Sequence, residues 1–483
     1  MNIRLIIKNL SIVVCIEALC MLFPFLIALL YGQDDARAFL FSALITLCVG
    51  LLMLRTRVKT NNFYTRDGFA VVALGWVLVS VFGSLPFLIS GAIPSPVDAF
   101  FETVSGFSTT GATILENVEV MPYGILFWRS FIHWMGGMGV LLLTVAILPS
   151  AGASFYHVMK AESPGPGPEK LVPKIGQTAK ILYSIYIVLT ALLVILLLTA
   201  GMPLYDALVH AFGTAGTGGF SIKNLSIGAY GSVFIDIIIT VFMFLFGINF
   251  TLYYHMLKGN IKSFYKDEEF RFYIGLILAS IIAITLDLVL NGLYSVGEGL
   301  RYSAFQVNSI ISTTGYATAD FNLWPVFSKF VLVMLMFIGP CAGSTGGSMK
   351  CIRYLLLFKI IKRELSKIMH PRAVHTVKLT GKTIDETTLW ETMAYFFIYI
   401  FIFVTSSLIV TLDGKDLVSS VTATAAAIGN IGPGLGLVGP MGNFSDFSSL
   451  SKIVLSFCMI AGRLEFLPIL ILFSPSAWKK ASI

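Results

Sequence analysis

Charge is the scarcest commodity in this sequence: only 12% of its 483 residues are Asp, Glu, Lys or Arg, against roughly a quarter in soluble domains. That excludes an ordinary cytosolic globule. Cysteine is scarce as well, and Cys15, Cys20, Cys48, Cys341, Cys351 and Cys458 lie in or beside apolar segments without a CxxC pair. Their placement excludes a disulfide framework or a thiolate metal site and leaves reduced packing residues. His133, His157, His210, His255, His370 and His375 form no metal-ligand spacing with Cys or acidic neighbours, so they are read as packing and surface residues. No nucleophile cluster, metal motif or carboxylate dyad is present, which argues against a membrane enzyme.

What the chain has in abundance is apolar sequence, 56% of its residues. Stretches such as 181–200, 234–250 and 393–412 carry at most one acidic residue and approach the ~20 apolar residues that a membrane helix needs. Arg4 and Lys8 precede the first apolar run in the manner of a signal peptide. The run is too long for an h-region and lacks a small-residue cleavage site, so it is taken as a span despite Glu17. Hydropathy places spans at 9–31, 37–54, 69–91, 124–149, 178–200, 230–257, 270–291, 325–361 (interrupted), 389–412 and 449–474. Ten crossings are therefore expected. Alternate connections are basic, including Arg55 to Arg66, Lys160 to Lys180, Lys258 to Arg271, Lys350 to Lys382 and the tail Lys479–Lys480. The positive-inside rule puts these, and both termini, in the cytoplasm. The net charge of +7 is thus a topology signal and not a nucleic-acid footprint.

From the third span onward, each opposite-side connection holds a further semi-apolar stretch too short to cross, followed by a glycine-containing core. Irregular backbone at membrane depth is tolerated only where protein buries it or where it lines an aqueous path. The cores are Thr109-Thr110-Gly111, Thr217-Gly218-Gly219, Thr313-Thr314-Gly315 and Asn430-Ile431-Gly432. The glycines recur at about one hundred residues, the length of one helix-loop-helix unit. In the first two units an Asp-Ala pair, Asp98-Ala99 and Asp206-Ala207, begins thirteen residues before the glycine. The expected organisation is two additional helices (1–60), then repeats at 61–150, 151–262, 263–384 and 385–483, each with an outer helix, a short pore helix, an extended loop and an inner helix. Such loops around one axis suit a monovalent cation, because carbonyl rings replace hydration without a fixed charge. Glycine permits the backbone conformations that point carbonyls inward. None of the cores carries an acidic ring of the kind a divalent filter needs. The side-chain oxygens of Thr109, Thr217, Thr313 and Asn430 either add ligands or pin the loops.

The stretches Ser108-Thr109-Thr110-Gly111-Ala112-Thr113, Trp134-Met135-Gly136-Gly137-Met138-Gly139, Ala146-Ile147-Leu148-Pro149 and Gly216-Thr217-Gly218-Gly219-Phe220-Ser221 together form a specific pattern. So do Ala342-Gly343-Ser344-Thr345-Gly346-Gly347, Asn430 to Gly436 and Gly462-Arg463-Leu464-Glu465. With them the chain resembles the Trk/Ktr/HKT superfamily of potassium transporters, in particular the bacterial TrkH/TrkG-type potassium-uptake subunits. The resemblance implies an all-α, fourfold pseudosymmetric protein of the bacterial cytoplasmic membrane, usually a homodimer. It implies potassium as substrate at the filter residues and no covalently bound cofactor. Nucleotide is expected only on a cytoplasmic RCK-type, TrkA-like ring that controls opening. Glycine at position 111, where sodium-admitting members carry serine, implies potassium preference.

The resemblance also gives a gate. Gly339-Pro340 and the run Cys341, Ala342, Gly343, Ser344, Thr345, Gly346 and Gly347 end a helix, since proline and glycine do not continue one. In the family this stretch is an intramembrane barrier, and Arg463, ~21 Å into the last span, is a pore-facing cation barrier. Glu465, two residues on, faces elsewhere on a helix. These candidates come only from the third and fourth units, so control is expected to be one-sided. Two alternatives stay open: a proton- or sodium-coupled potassium symporter, and a secondary transporter of an organic solute. The latter would need inverted repeats and charged substrate partners.

Overall fold

A computed structural model describes residues 1–58, 64–139, 175–373 and 375–478. The second half of the 124–149 span with Ala146 to Pro149, His157, the stretch Lys160 to Lys174 and Lys479–Lys480 lie outside the described residues. Six helices, or eight with each bent pair taken as one span, are long and apolar enough to cross a membrane. The ten expected spans are met differently. Residues 230–257 are two helices, Val233–Phe246 and Phe250–Leu257, bent by 91°, and residues 449–474 bend by 118° after Ser449–Arg463. The interruption in 325–361 is present, between Val326–Ile338 and Cys351–Met369. An antiparallel hairpin, Lys378–Leu379 with Lys382–Thr383, is a small exception to the all-helical expectation; Thr380 and Gly381 supply the positive φ its tight turn needs.

The helices fall into four sets of like order. Long outer helices (Thr65–Gly83, Ile175–Thr199, Glu268–Leu290 and Glu386–Val410) precede short pore helices (Pro96–Phe107, Leu204–Gly216, Val296–Ile311 and Leu417–Gly429). Inner helices follow (Tyr123–Gly137, Val233–Phe246, Val326–Ile338 and Ser449–Arg463). Outer helices are apolar all round, as lipid-facing helices are: in Glu268–Leu290 the side chains of Tyr273, Ile277, Ile284 and Leu288 are buried while Leu278, Ile282, Leu286 and Leu290 are exposed. Pore helices start on strong signals. Ser95 accepts from the Asp98 amide, Ser295 forms a capping box with Glu298, and Asp416 accepts from the Ser419 amide. The inner helices hold 13 to 15 residues, about 20 Å, too short to cross a ~30 Å core. Each is therefore short of a full crossing by itself.

The sets close into a ring. The inner helix of the first packs on the pore helix of the second, the second's on the third's, the third's on the fourth's, and the fourth's back on the first's. The N-terminal helices, Ile3–Cys20, Leu22–Leu30 and Asp35–Leu54, pack outside this ring against the first set. Within a set, glycine lets the inner helix meet the pore helix. A Cβ at Gly136 would lie 1.8 Å from the Phe107 carbonyl oxygen, and one at Gly462 2.0 Å from that of Ile428. Backbone cannot give way as a side chain can. Gly136→Ala and Gly462→Ala are accordingly expected to lower thermal stability by about 1–3 kcal/mol or more. Gly275→Ala, with nothing within 4 Å, should leave it unchanged or raise it; thermal unfolding of the detergent-purified protein checks both.

Candidate functional site: a four-loop ring and the segment beneath it

Each pore helix ends in the same way. The amides of Thr110, Gly218, Thr314 and Ile431 reach back to the carbonyls of Ser105, Gly213, Ser309 and Ala426 at 2.8–2.9 Å, the closing bond of a Schellman motif. That motif needs a left-handed residue, usually glycine. Here it is Thr109 (φ 58°), Thr217 (56°), Thr313 (61°) and Asn430 (54°). A β-branched residue there is strained, and three of the four are threonine, all fully buried. The chain then extends to a second positive φ at Gly111 (80°), Gly219 (74°), Gly315 (82°) and Gly432 (96°).

These glycines interlock. A Cβ on Gly111 would lie 1.9 Å from the Gly218 carbonyl oxygen, on Gly219 2.0 Å from that of Thr314, and on Gly315 2.1 Å from that of Ile431. The series closes with Gly432, 2.7 Å from the Thr110 oxygen. Thr110, Gly218, Thr314 and Ile431 thus bring four carbonyls, one per set, into a closed ring. The negative ends of four helix dipoles surround it. One cavity, of about 120 Å³, is lined by all four glycines and by Thr113, Glu116, Phe220, Lys223 and Asn224, which follow the ring in sequence. A second, of about 80 Å³, lies at the ends of the first and fourth inner helices and is lined by Gly137, Gly343, Ser344, Gly346, Gly347, Lys350, Arg463 and Glu465.

The threonine and asparagine side chains mostly pin backbone. The Thr313 hydroxyl accepts from the Gly347 amide at 2.7 Å, and that of Thr217 donates to the Gly216 carbonyl. Asn430 donates to Thr110 Oγ1 at 3.0 Å and to the Met459 carbonyl. Thr109 Oγ1 has no hydrogen-bond partner among the described residues. Hydroxyl pairs Ser108–Thr110 and Ser312–Thr314, each 2.7 Å apart, make the first and third loops alike, although the Asp-Ala pair links the first and second.

The ring is braced from behind by residues that the sequence left unmarked. Buried Arg129 donates through Nε to Glu102 Oε1 at 2.8 Å and through its terminal nitrogens to Thr113 Oγ1 and the Ser221 carbonyl. Its guanidinium lies 4.0 Å from the Phe220 ring centre, and Glu102 accepts from the Ile114 amide at 2.9 Å. One ion pair thereby ties loop one to loop two. His133 Nδ1 meets the Gly106 carbonyl at 2.7 Å while Nε2 receives the Phe220 amide. A carbonyl on one nitrogen and an N–H on the other require a neutral ring. Lys452 of the fourth inner helix binds Asp98 at 2.7 Å, a carboxylate noted in sequence only for its register. Among the described residues no cluster of His, Cys, Asp or Glu could hold a metal.

The segment between Ile338 and Cys351 lies directly beneath the ring. A Cβ on Gly346 would stand 2.6 Å from the Ser312 carbonyl, and one on Gly347 2.6 Å from that of Gly429. Cys341 donates to the Gly247 carbonyl, Thr345 to that of Phe246, and the Phe250 amide to that of Gly343. Ser344 Oγ bonds the Cys341 carbonyl, Lys350 Nζ the Gly346 carbonyl, and the Ala342 amide a carboxylate from outside the segment, Glu269. Arg463, the last residue of its helix, donates to the Thr345 carbonyl at 2.7 Å and to those of Gly136 and Gly137 at 2.7 and 2.6 Å. Glu465 is not on a helix, where the sequence placed it: the chain breaks at Glu465 (φ 56°) and Phe466 (64°), and Glu465 pairs with Arg353 at 2.5 Å while lining the same cavity as Arg463.

The segment and Arg463 belong to the third and fourth sets, but the other two sets help to hold them. The first inner helix supplies carbonyls to Arg463, and the break of the second supplies anchors to the loop. Sequence missed this because backbone carbonyls carry no residue signature.

A family model described as TrkH, cation transport protein, matches residues 35–480. The chain is 38% identical to the Trk system potassium uptake protein TrkH of Salmonella typhimurium, over 99% of this chain and 100% of that protein. It is 33% identical to the Trk system potassium uptake protein TrkG of Escherichia coli, over 99% of each. The crystal structure of the potassium transporter TrkH from Vibrio parahaemolyticus superimposes with a TM-score of 0.89 at 36% identity, covering 99% of this chain and 100% of that one. Arg129→Met, which leaves Glu102 buried without its cation, is expected to cost about 3–5 kcal/mol. Adding Glu102→Gln to it should restore part of that loss, as read in thermal unfolding of the single and double variants.

Proposed function

Because the chain belongs to the TrkH family of cation transport proteins and is a membrane transporter, not an enzyme, we propose that it takes up potassium across the bacterial cytoplasmic membrane. The ring of Thr110, Gly218, Thr314 and Ile431 carbonyls is the observation that carries this reading. Four uncharged oxygens held by mutual backbone contact replace the hydration of a weakly hydrated monovalent ion. They offer no net charge to a divalent one. The filter is Thr109 to Gly111, Thr217 to Gly219, Thr313 to Gly315 and Asn430 to Gly432, and the cavity bearing Glu116 and Lys223 is its outer mouth.

The barrier to flow is the segment Cys341 to Gly347 with Arg463. Gly346 and Gly347, both buried, occupy the space under the filter, and the guanidinium adds a fixed positive charge below the last cation site. In this reading both termini are cytoplasmic, the repeats follow the boundaries set out from sequence, and two copies associate. A cytoplasmic RCK-type, nucleotide-binding subunit shifts the segment between closed and open states. That the relatives are named as members of a Trk system supports a multi-component assembly.

Two variants test the reading in proteoliposomes. Gly111→Ser would put its Cβ against the Gly218 carbonyl and widen the ring, so the rubidium-to-sodium influx ratio is expected to fall by about tenfold. Equal rubidium and sodium influx in the parent protein would refute the potassium assignment. Arg463→Ala is expected to raise rubidium influx in the absence of other proteins; influx no faster than the parent's would remove Arg463 from the barrier.

A further inference from the structure

Glu269 stands in the first turn of Glu268–Leu290, yet it is buried, 5% exposed. A carboxylate in such a place needs donors. It takes them from the two ends of the segment beneath the ring. Its Oε1 accepts from the Ala342 amide at 2.7 Å and from the Ile352 amide at 3.0 Å. Ala342 enters the segment; Ile352 belongs to the first turn of the helix that follows it.

The second bond answers a defect in that helix. Cys351–Met369 begins after Lys350, whose φ of 71° and lack of a capping side-chain bond leave its first amides without a local cap. Glu269 supplies one from another helix, through Oε1. The neighbouring carboxylate extends the connection outward. Glu268 accepts from Lys359 Nζ on the same helix and, at 2.9 Å, from the Thr380 amide in the hairpin turn. One helix start thus fixes both ends of the segment and the hairpin.

We propose that Glu269 is the positioning residue of the gate: a single carboxylate oxygen that clamps both ends of the 341–350 segment in the blocking position. The proposal rests on the reading of this segment as the barrier. Release of the clamp frees the segment's two ends, while Gly347 between them keeps its bond to Thr313 of the filter. Because one oxygen accepts both bonds, the acceptor and not the charge is what the clamp requires.

The test is rubidium and sodium influx into proteoliposomes holding the full chain alone, with deletion of residues 341–347 as reference. Glu269→Ala should raise rubidium influx about tenfold, as loss of a net hydrogen bond would, at an unchanged rubidium-to-sodium ratio. Glu269→Gln retains Oε1 and should stay within about twofold of the parent. Parental influx in Glu269→Ala, with raised influx in the deletion, overturns the clamp and leaves the barrier standing. Unchanged influx in the deletion overturns both. Glu269→Gln behaving like Glu269→Ala, or a changed ion ratio, also overturns the clamp. Should Glu269→Ala fail to fold, hydrogen exchange in Glu269→Asp decides. Faster exchange confined to peptides over 341–352 supports the clamp, and parental exchange there refutes it.

Discussion

The architecture depends on backbone meeting backbone at distances that a single Cβ would forbid. Each of Gly111, Gly219, Gly315 and Gly432 rests against a carbonyl of the next loop, so no loop can hold its position without the other three. The constraint runs outward from there. Pore helices must end in a left-handed residue to deliver the chain to the ring, and that residue is Thr or Asn, not the less strained glycine. Inner helices must stop after about four turns, since their carbonyl ends at Gly136, Phe246 and Gly247 are needed to receive Arg463 and the intramembrane segment.

Charge is rationed accordingly. Three ion pairs, each buried on at least one side, sit where irregular backbone needs support. Arg129–Glu102 and Lys452–Asp98 brace the ring, and Arg353–Glu465 braces the break after Arg463. Breaking one partner would strand the other in low dielectric. Arg463 donates to the backbone carbonyls of Thr345, Gly136 and Gly137. Its bonds reach both the segment and the first inner helix, so a shift of the segment has to rearrange them.

Much of this was legible in the sequence, for identifiable reasons. Apolar length marked the outer helices, and the glycine cores marked the ring because φ above zero at a fixed place leaves few residue choices. The interruption after Ile338 was visible through Gly339 and Pro340. The breaks after Phe246 and Arg463 were not. At the first, Gly247 is followed by Ile248 and Asn249; at the second, Leu464, Glu465 and Phe466 adopt a reversal that hydropathy reads as continuous span. Arg129, Glu102 and Glu269 were unmarked in the sequence, since their partners lie far along the chain. His133 and His210 were read as packing residues and are packed, but their ring nitrogens hold loop and helix backbone.

The central claim is that four main-chain carbonyls, one per loop, form the site where a monovalent cation loses its water. Anomalous diffraction from crystals grown in rubidium or thallium addresses it directly. The account requires an ion peak on the ring axis, bounded by the carbonyl oxygens of Thr110, Gly218, Thr314 and Ile431. A strongest peak elsewhere, or peaks coordinated by side-chain carboxylates with the ring empty, would contradict it.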